Sequence, residues 1–258
     1  MKPLSQETTP VPLPIIQTFT HWQQRILLVL LLTASFFLIK HNVANAQPLA
    51  PQMPQSCSIV YGFDGIYNQS GWGSQATIGG YQPSSVCNAS SNWVMVNNTN
   101  DYPHAYEQIG YIRYAGQPAP TNENRYFTEY QDATGSDGPI FTDLGEDTSY
   151  WGGSSDTFSV YYDTSAGLFK ILLNNNLLGE ASLNWSPNDC QWVDETHATA
   201  DHVLGGYNHH TVFANVLYLQ NGAWHAPNTS TNEGNPKNPN GGFASGSDKF
   251  YIWDTRYS

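Results

Sequence analysis

The stretch Asp156–Trp185, "DTFSVYYDTSAGLFKILLNNNLLGEASLNW", decides the fold. Three apolar or alternating runs are separated by two short breaks, "DTSAG" at Asp163–Gly167 and "NNN" at Asn174–Asn176. Aromatic and β-branched residues suit a pleated, half-buried surface, and Gly and Asn accept the positive φ that tight hairpin turns demand. The runs are also too short to make a persuasive amphipathic helix. The spacing therefore predicts a three-stranded antiparallel meander.

The same pattern continues on both sides. "CSIVYGF", "SQATIGG", "NWVMVN", "EQIGYIRYA", "RYFTEYQ" and "PIFTDL" precede it, and "QWVDETHA", "HTVFANVLYLQ" and "KFYIWDTRY" follow. Many short strands at regular spacing point to an all-β fold, an antiparallel β-sandwich of the jelly-roll, concanavalin-like kind. The tail Pro227–Ser247, "PNTSTNEGNPKNPNGGFASGS", reads as a long Asn, Gly and Pro loop. No internal repeat is visible.

The N-terminal residues differ in kind. The apolar run Ile26–Ile39, "ILLVLLLTASFFLI", follows Arg25, and Ala44 and Ala46 flank Asn45 in the manner of an A-x-A cleavage site. A fourteen-residue helix spans about 21 Å, short of the ~30 Å hydrocarbon core, which favours a signal peptide over residues 1–46; an uncleaved signal anchor is the alternative. Residues 47–56, "QPLAPQMPQS", read as a Pro-rich linker, and 57–258 as one β-sandwich domain. Under this reading the domain is exported, and a secreted, extracellular protein with no stable membrane span after processing is expected.

The whole chain carries 9 Lys or Arg against 21 Asp or Glu, a net charge of −12. Such an acidic chain lacks the basic clusters that displace phosphate counterions, so nucleic acid is not an expected partner. Low basic content suits work in an acidic medium, although many exported proteins are acidic for solubility alone. Of the three cysteines, Cys57 with Cys87 is the preferred disulfide, which leaves Cys190 as the odd thiol; Cys87 with Cys190 stays open. There is no CxxC spacing, no GxSxG elbow and no phosphate-cradling Gly loop, and no cofactor or metal is expected.

Two segments could carry chemistry. In "EQIGYIRY" the two-residue period puts Tyr106, Gln108, Gly110 and Ile112 on one face, leaving space beside the Gln108 amide. In "QWVDETHA" it puts Gln191, Val193, Glu195 and His197 on one face and Trp192, Asp194 and Thr196 on the other. A carboxyl and an amide facing one groove make a minimal hydrolytic pair, the first handling protons and the second donating to an oxyanion.

"WVMV…YEQIGYIRY…YFTEY" followed by "QWVDE" resembles the acid glutamic peptidases, the eqolisin family, in which a "WVGID…LQTG" segment supplies a catalytic Gln and an "AEWIVE"-like strand a catalytic Glu. The resemblance implies a β-sandwich that is secreted, needs no metal and hydrolyses peptide bonds at low pH. It assigns Gln108 and Glu195 as catalytic residues, with Trp93, Tyr106, Gln191 and His197 lining the binding site for a protein or peptide substrate. Two acids flank the aromatic residue of the family strand, and here the first of those positions is Gln191. If the family's acid lies there, this chain is an inactive relative; if Glu195 serves, the dyad survives. Secreted sandwich proteins that share a "GG…H…F" segment are similar at Gly205, Gly206, His210 and Phe213.

Two further function classes remain. A glycosidase needs paired carboxyls, for which Glu107, Glu129, Glu180 and Glu195 are available. A non-catalytic carbohydrate- or cell-surface-binding module would use the aromatic residues Trp72, Trp93, Trp151, Trp185 and Trp224 against an extracellular glycan. Glu195, His197, Asp201, His202, His209 and His210 are metal-ligand types, but their spacing matches no tight zinc pattern.

Overall fold

The computed structural model describes residues 58–79, 86–100, 105–115, 124–133, 138–146, 155–206, 208–228, 234, 236–246 and 249–256. The leader, the linker, Cys57 and Trp151 lie outside them. The described residues belong to one compact unit, Pro48–Ser258.

All regular elements there are strands: β1 (Gly62–Gln69), β2 (Gly73–Gly79), β3 (Ala89–Asn98), β4 (Ala105–Tyr114), β5 (Arg125–Gln131), β6 (Ile140–Glu146), β7 (Ser155–Asp163), β8 (Leu168–Leu173), β9 (Asn176–Ala181), β10 (Asp189–Thr196), β11 (Gly205–Gly206), β12 (His209–Gln220), β13 (Ala223–His225), β14 (Gly241–Ser245) and β15 (Lys249–Asp254). They form a six-stranded sheet, β1-β10-β3-β4-β5-β6, and a nine-stranded sheet, β14-β15-β11-β12-β2-β7-β8-β9 with β13 paired to β12. Pairing is antiparallel except for β11 with β15. The sandwich read from the sequence is the fold.

The opening stretch is the β7–β8–β9 meander. Its second turn works because Asn174 and Asn175 both take positive φ, 52° and 63°, the left-handed conformation that a two-residue hairpin turn requires. The tail was expected to be loop throughout. Instead, Gly241–Ser245 pairs with β15, in register from Gly241 opposite Asp254 to Ser245 opposite Phe250.

Alternation builds the core. Ile66, Val94, Val96, Ile109, Tyr111 and Trp192 of the smaller sheet meet Ala76, Ile78, Phe158, Val160, Phe213 and Phe250 of the larger. Polar groups cross the layer as well: the Trp192 indole donates to the Gln75 carbonyl at 2.9 Å, and the Ser74 hydroxyl to the Met95 carbonyl at 2.6 Å. Asp156, on β7, accepts from Tyr111, from Tyr126 at 2.9 Å and from Asn174 at 2.5 Å. Cys190 is a buried free thiol whose sulfur donates to the Gly73 carbonyl at 3.2 Å, so it does not pair with Cys87.

A second apolar cluster lies on the outer face of the six-stranded sheet, with Trp93, Met95, Ile112, Phe127 and Val193 at its centre. This face is therefore built as a lined surface, and it carries the residues considered next.

Candidate functional site

Strand register places each side chain. Gln191 lies opposite Met95, Met95 opposite Gln108, and Gln108 opposite Glu129, so these four form one row on the outer face. The next row is Val193, Trp93, Gly110 and Phe127, and the row beyond it is Glu195, Ser91, Ile112 and Arg125. Gln108 and Glu195 thus share a face but not a level. Trp93 stands between them, one row from each, on the strand between theirs. Each is its diagonal cross-strand neighbour, a relation that spans ~7–8 Å between backbones.

Gly110 does not open the space beside the Gln108 amide that the sequence led us to expect, because the neighbouring strand fills it. A Cβ there would stand 1.9 Å from the Asn92 carbonyl oxygen and 2.7 Å from the Trp93 Cα, so no side chain fits where β3 and β4 approach.

Glu195 is held from two sides. The Trp93 indole Nε1 donates to Oε2 at 2.9 Å, and His197 Nε2 lies 3.2 Å from Oε1. The i, i+2 spacing of Glu195 and His197 along an extended chain produces that second contact directly. Burial pulls the His197 pKa down, but the bond to Glu195 and the charges of Glu195, Glu129 and Asp201 outweigh it and raise the pKa. The ring of Tyr61 stands edge-on to His197 at 5.1 Å and forms an exposed rim.

Gln108 is buried, and among the described residues its amide makes no side-chain hydrogen bond. Beside it, Tyr106 donates a short hydrogen bond to Glu129. Burial first, and then the charge of Glu195, raise the Glu129 pKa against the opposing effects of Tyr106 and His197. The Tyr67 hydroxyl, in the same cluster, is buried without a partner, and burial followed by the charge of Glu195 lifts its pKa. Gln191 is engaged, donating from Nε2 to Asp189 Oδ2 at 2.8 Å.

The structure thus brings Gln108, Glu195, Trp93, Tyr106, Gln191 and His197 onto one face, together with Glu129, which the sequence offered only as a glycosidase acid. Trp93 is 3% exposed and acts as a hydrogen-bond donor to Glu195 rather than as an open stacking surface. The donor role could not be seen without knowing that β10 and β3 are neighbours. Alternation sends the adjacent acids inward: Glu107 and Asp194 lie in the interior, 1% and 0% exposed. Glu180 sits on β9 of the other sheet, 3.9 Å from Lys170. Trp185 is core, whereas Trp72 and Trp224 are exposed.

The metal-ligand residue types have structural partners. Asp201 accepts from the backbone N–H of Cys87, of Asn88 at 2.8 Å and of Ala89 at 3.1 Å, while His210 stacks on Trp253 at 4.1 Å. Among the described residues no three His, Cys, Asp or Glu side chains converge as a metal would need.

No protein-family model matches the chain, and no curated protein matches its sequence. Among solved structures, the chain is similar to scytalidoglutamic peptidase crystallised with a peptide-based transition-state analogue, at 11% identity over 78% of this chain and 100% of that one, with a TM-score of 0.53. It is also similar to SCP-B, a member of the eqolisin family of peptidases, in complex with the tripeptide Ala-Ile-His, at 12% identity over 78% and 100% of the two chains, TM-score 0.47. A Bacteroides ovatus mixed-linkage glucan GH16 protein aligns at 14% identity over 56% and 70%, TM-score 0.40. At these identities the likeness is one of fold: the chain resembles the glutamic peptidases in its β-sandwich.

Proposed function

We propose that this is an exported glutamic-type endopeptidase that acts in acid, with Glu195 as the proton-transferring acid and base and Gln108 as the oxyanion donor. The observation that carries the reading is the placing of both residues on one lined sheet face, as diagonal neighbours of Trp93, with Gln108's amide unpartnered and the Glu195 carboxylate fixed by the indole. Gln191 stands at the first acid position of the family strand, in the row of Gln108, with its amide bonded to Asp189.

In this mechanism a substrate peptide lies over Trp93 with its scissile carbonyl between the two side chains. Ionised Glu195 accepts a proton from a water molecule as the water oxygen bonds to the carbonyl carbon. The C=O electron pair moves onto oxygen, and the Gln108 N–H donates to that oxyanion, a contribution of ~3 kcal/mol for one well-placed donor. Collapse of the tetrahedral species breaks the C–N bond, and Glu195 returns its proton to the leaving nitrogen.

The test is incubation of the purified protein with a denatured protein substrate at pH 3 to 4. Cleavage by the wild type that is lost in both Glu195→Ala and Gln108→Ala is expected. Absence of cleavage by the wild type, or equal cleavage by folded variants, overturns the reading.

A further inference from the structure

We propose that the outer face of the nine-stranded sheet, on the opposite side of the sandwich from Glu195, binds a neutral oligosaccharide in an aromatic groove. Register builds it: Leu219, Gly73 and Tyr161 form one outward row, and Gln75, Ser159 and Leu172 the next. At Gly73 the row has a gap. A Cβ there would stand 2.5 Å from the Tyr161 Cβ, 3.0 Å from the Leu219 Cβ and 3.2 Å from the Trp224 indole, so the missing side chain lets Trp224 lean across from β13. Trp224 meets Tyr161 edge-on at 6.2 Å. With Trp72 they wall a groove of about 490 Å³, a size that accommodates a few sugar rings.

Its polarity selects the ligand. Trp72 and Trp224 are each 38% exposed, an unusual display of two large indoles beside one cavity. The floor is polar: the Ser159 hydroxyl donates to Gln75 Oε1 at 3.0 Å, and both residues line the groove with Asn175 and Thr164. Among the described lining residues only Asp163 carries charge, and it is tied to Lys170 at 2.8 Å and to the Ser165 hydroxyl at 2.6 Å. A charged ligand therefore finds no counter-charge. A wholly apolar one strands the amide and hydroxyl floor. A neutral sugar chain meets both demands, with C–H faces on the indoles and hydroxyls on the Gln, Asn, Ser and Thr groups.

The experiment titrates the purified protein with neutral hexasaccharides of glucose, mannose and N-acetylglucosamine and with an acidic oligogalacturonide, following tryptophan fluorescence and heat. Saturable binding of at least one neutral chain is expected, weakened tenfold or more in Trp224→Ala and Trp72→Ala with unchanged melting temperature, and absent for the acidic chain. No saturable neutral binding, binding indifferent to both substitutions, or preference for the acidic chain or for detergent micelles overturns the proposal. Neither indole lies on the Glu195 face, so a null result in the peptide-cleavage assay leaves this outcome untouched, and the reverse holds.

Discussion

The Trp93 indole donates to the Glu195 carboxylate across the β3–β10 pair at 2.9 Å, and this bond fixes which way the candidate acid points. It also places the donor midway between the rows of Glu195 and Gln108. Hydrogen bonds to charged groups contribute ~1.5–3 kcal/mol. Trp93→Phe keeps an aromatic ring but removes the N–H, so kcat for peptide cleavage is expected to fall about tenfold or more with KM little changed. Met95→Leu, in the neighbouring row and without a bond to Glu195, serves as the packing control. Equal kcat in Trp93→Phe and wild type would remove the indole from the site's working parts.

His197 couples the same carboxylate to pH. Its pKa is raised in the folded state despite burial, so the stabilisation it contributes is fully present below the unfolded value of ~6.5 and is lost as pH rises through the folded value. The melting-temperature difference between wild type and His197→Gln should therefore be largest near pH 5 to 6 and shrink as pH climbs past neutrality. An NMR titration of the ring would give a midpoint above that of an exposed histidine. A midpoint below it would show that burial outweighs the Glu195 contact.

The interior acids also lose stability as pH rises, starting at a lower pH. Glu107 lies between Ala105 and Ile109 on the core face of β4, and neither carboxylate oxygen has a partner. Burial, then the charge of Glu129, pushes its pKa well above the ordinary range. Asp194 is raised by burial, then by the charge of Asp64. For a carboxyl whose folded pKa is raised, the folded state is penalised once pH exceeds the unfolded value of ~4.3, by up to ~1.4 kcal/mol per pH unit until the folded value is reached. Glu107→Gln should raise the melting temperature at pH 7, with the gain fading as pH falls toward 4. Melts from pH 3 to 8 check this; a gain that is independent of pH would assign the effect to packing instead.

Period-two alternation made a great deal legible. It put Glu195 on one face of its strand and Trp192 on the other, Gln108 with Tyr106 and Gly110 on one face of theirs, and the "NNN" turn announced the β8–β9 hairpin. Register was not legible, because the level of one strand against the next is set by loops and bulges, such as the break between Ala214 and Leu217 where Asn215 takes φ 50°. Hence the Gln108–Glu129 pairing and the intervening Trp93 emerge only from the fold. β14 was hidden for a different reason: "GGFAS" has almost no apolar alternation of its own, and its pairing is supplied by Phe250 and Ile252 of β15. The preferred Cys57–Cys87 disulfide involves a residue outside the described ones and remains an expectation from the sequence.

Gln191 offers the sharpest test of whether this chain lost an acid or never needed one there. Its amide lies in the same row as Gln108, is 9% exposed, and donates to Asp189 Oδ2 two residues away on the same strand face. Replacing it by Glu puts a second carboxylate beside Asp189 in a buried setting, where like charges disfavour joint ionisation. Gln191→Glu is therefore expected to lower stability above the ordinary carboxylate range, by ~1–3 kcal/mol for an unpaired buried polar contact, and to recover it as pH falls and one acid holds its proton. Peptide cleavage at pH 3 to 4 should not rise. A variant that gains activity, with no loss of stability at neutral pH, would mean that the first acid position is the one the chemistry requires and that Glu195 alone does not suffice.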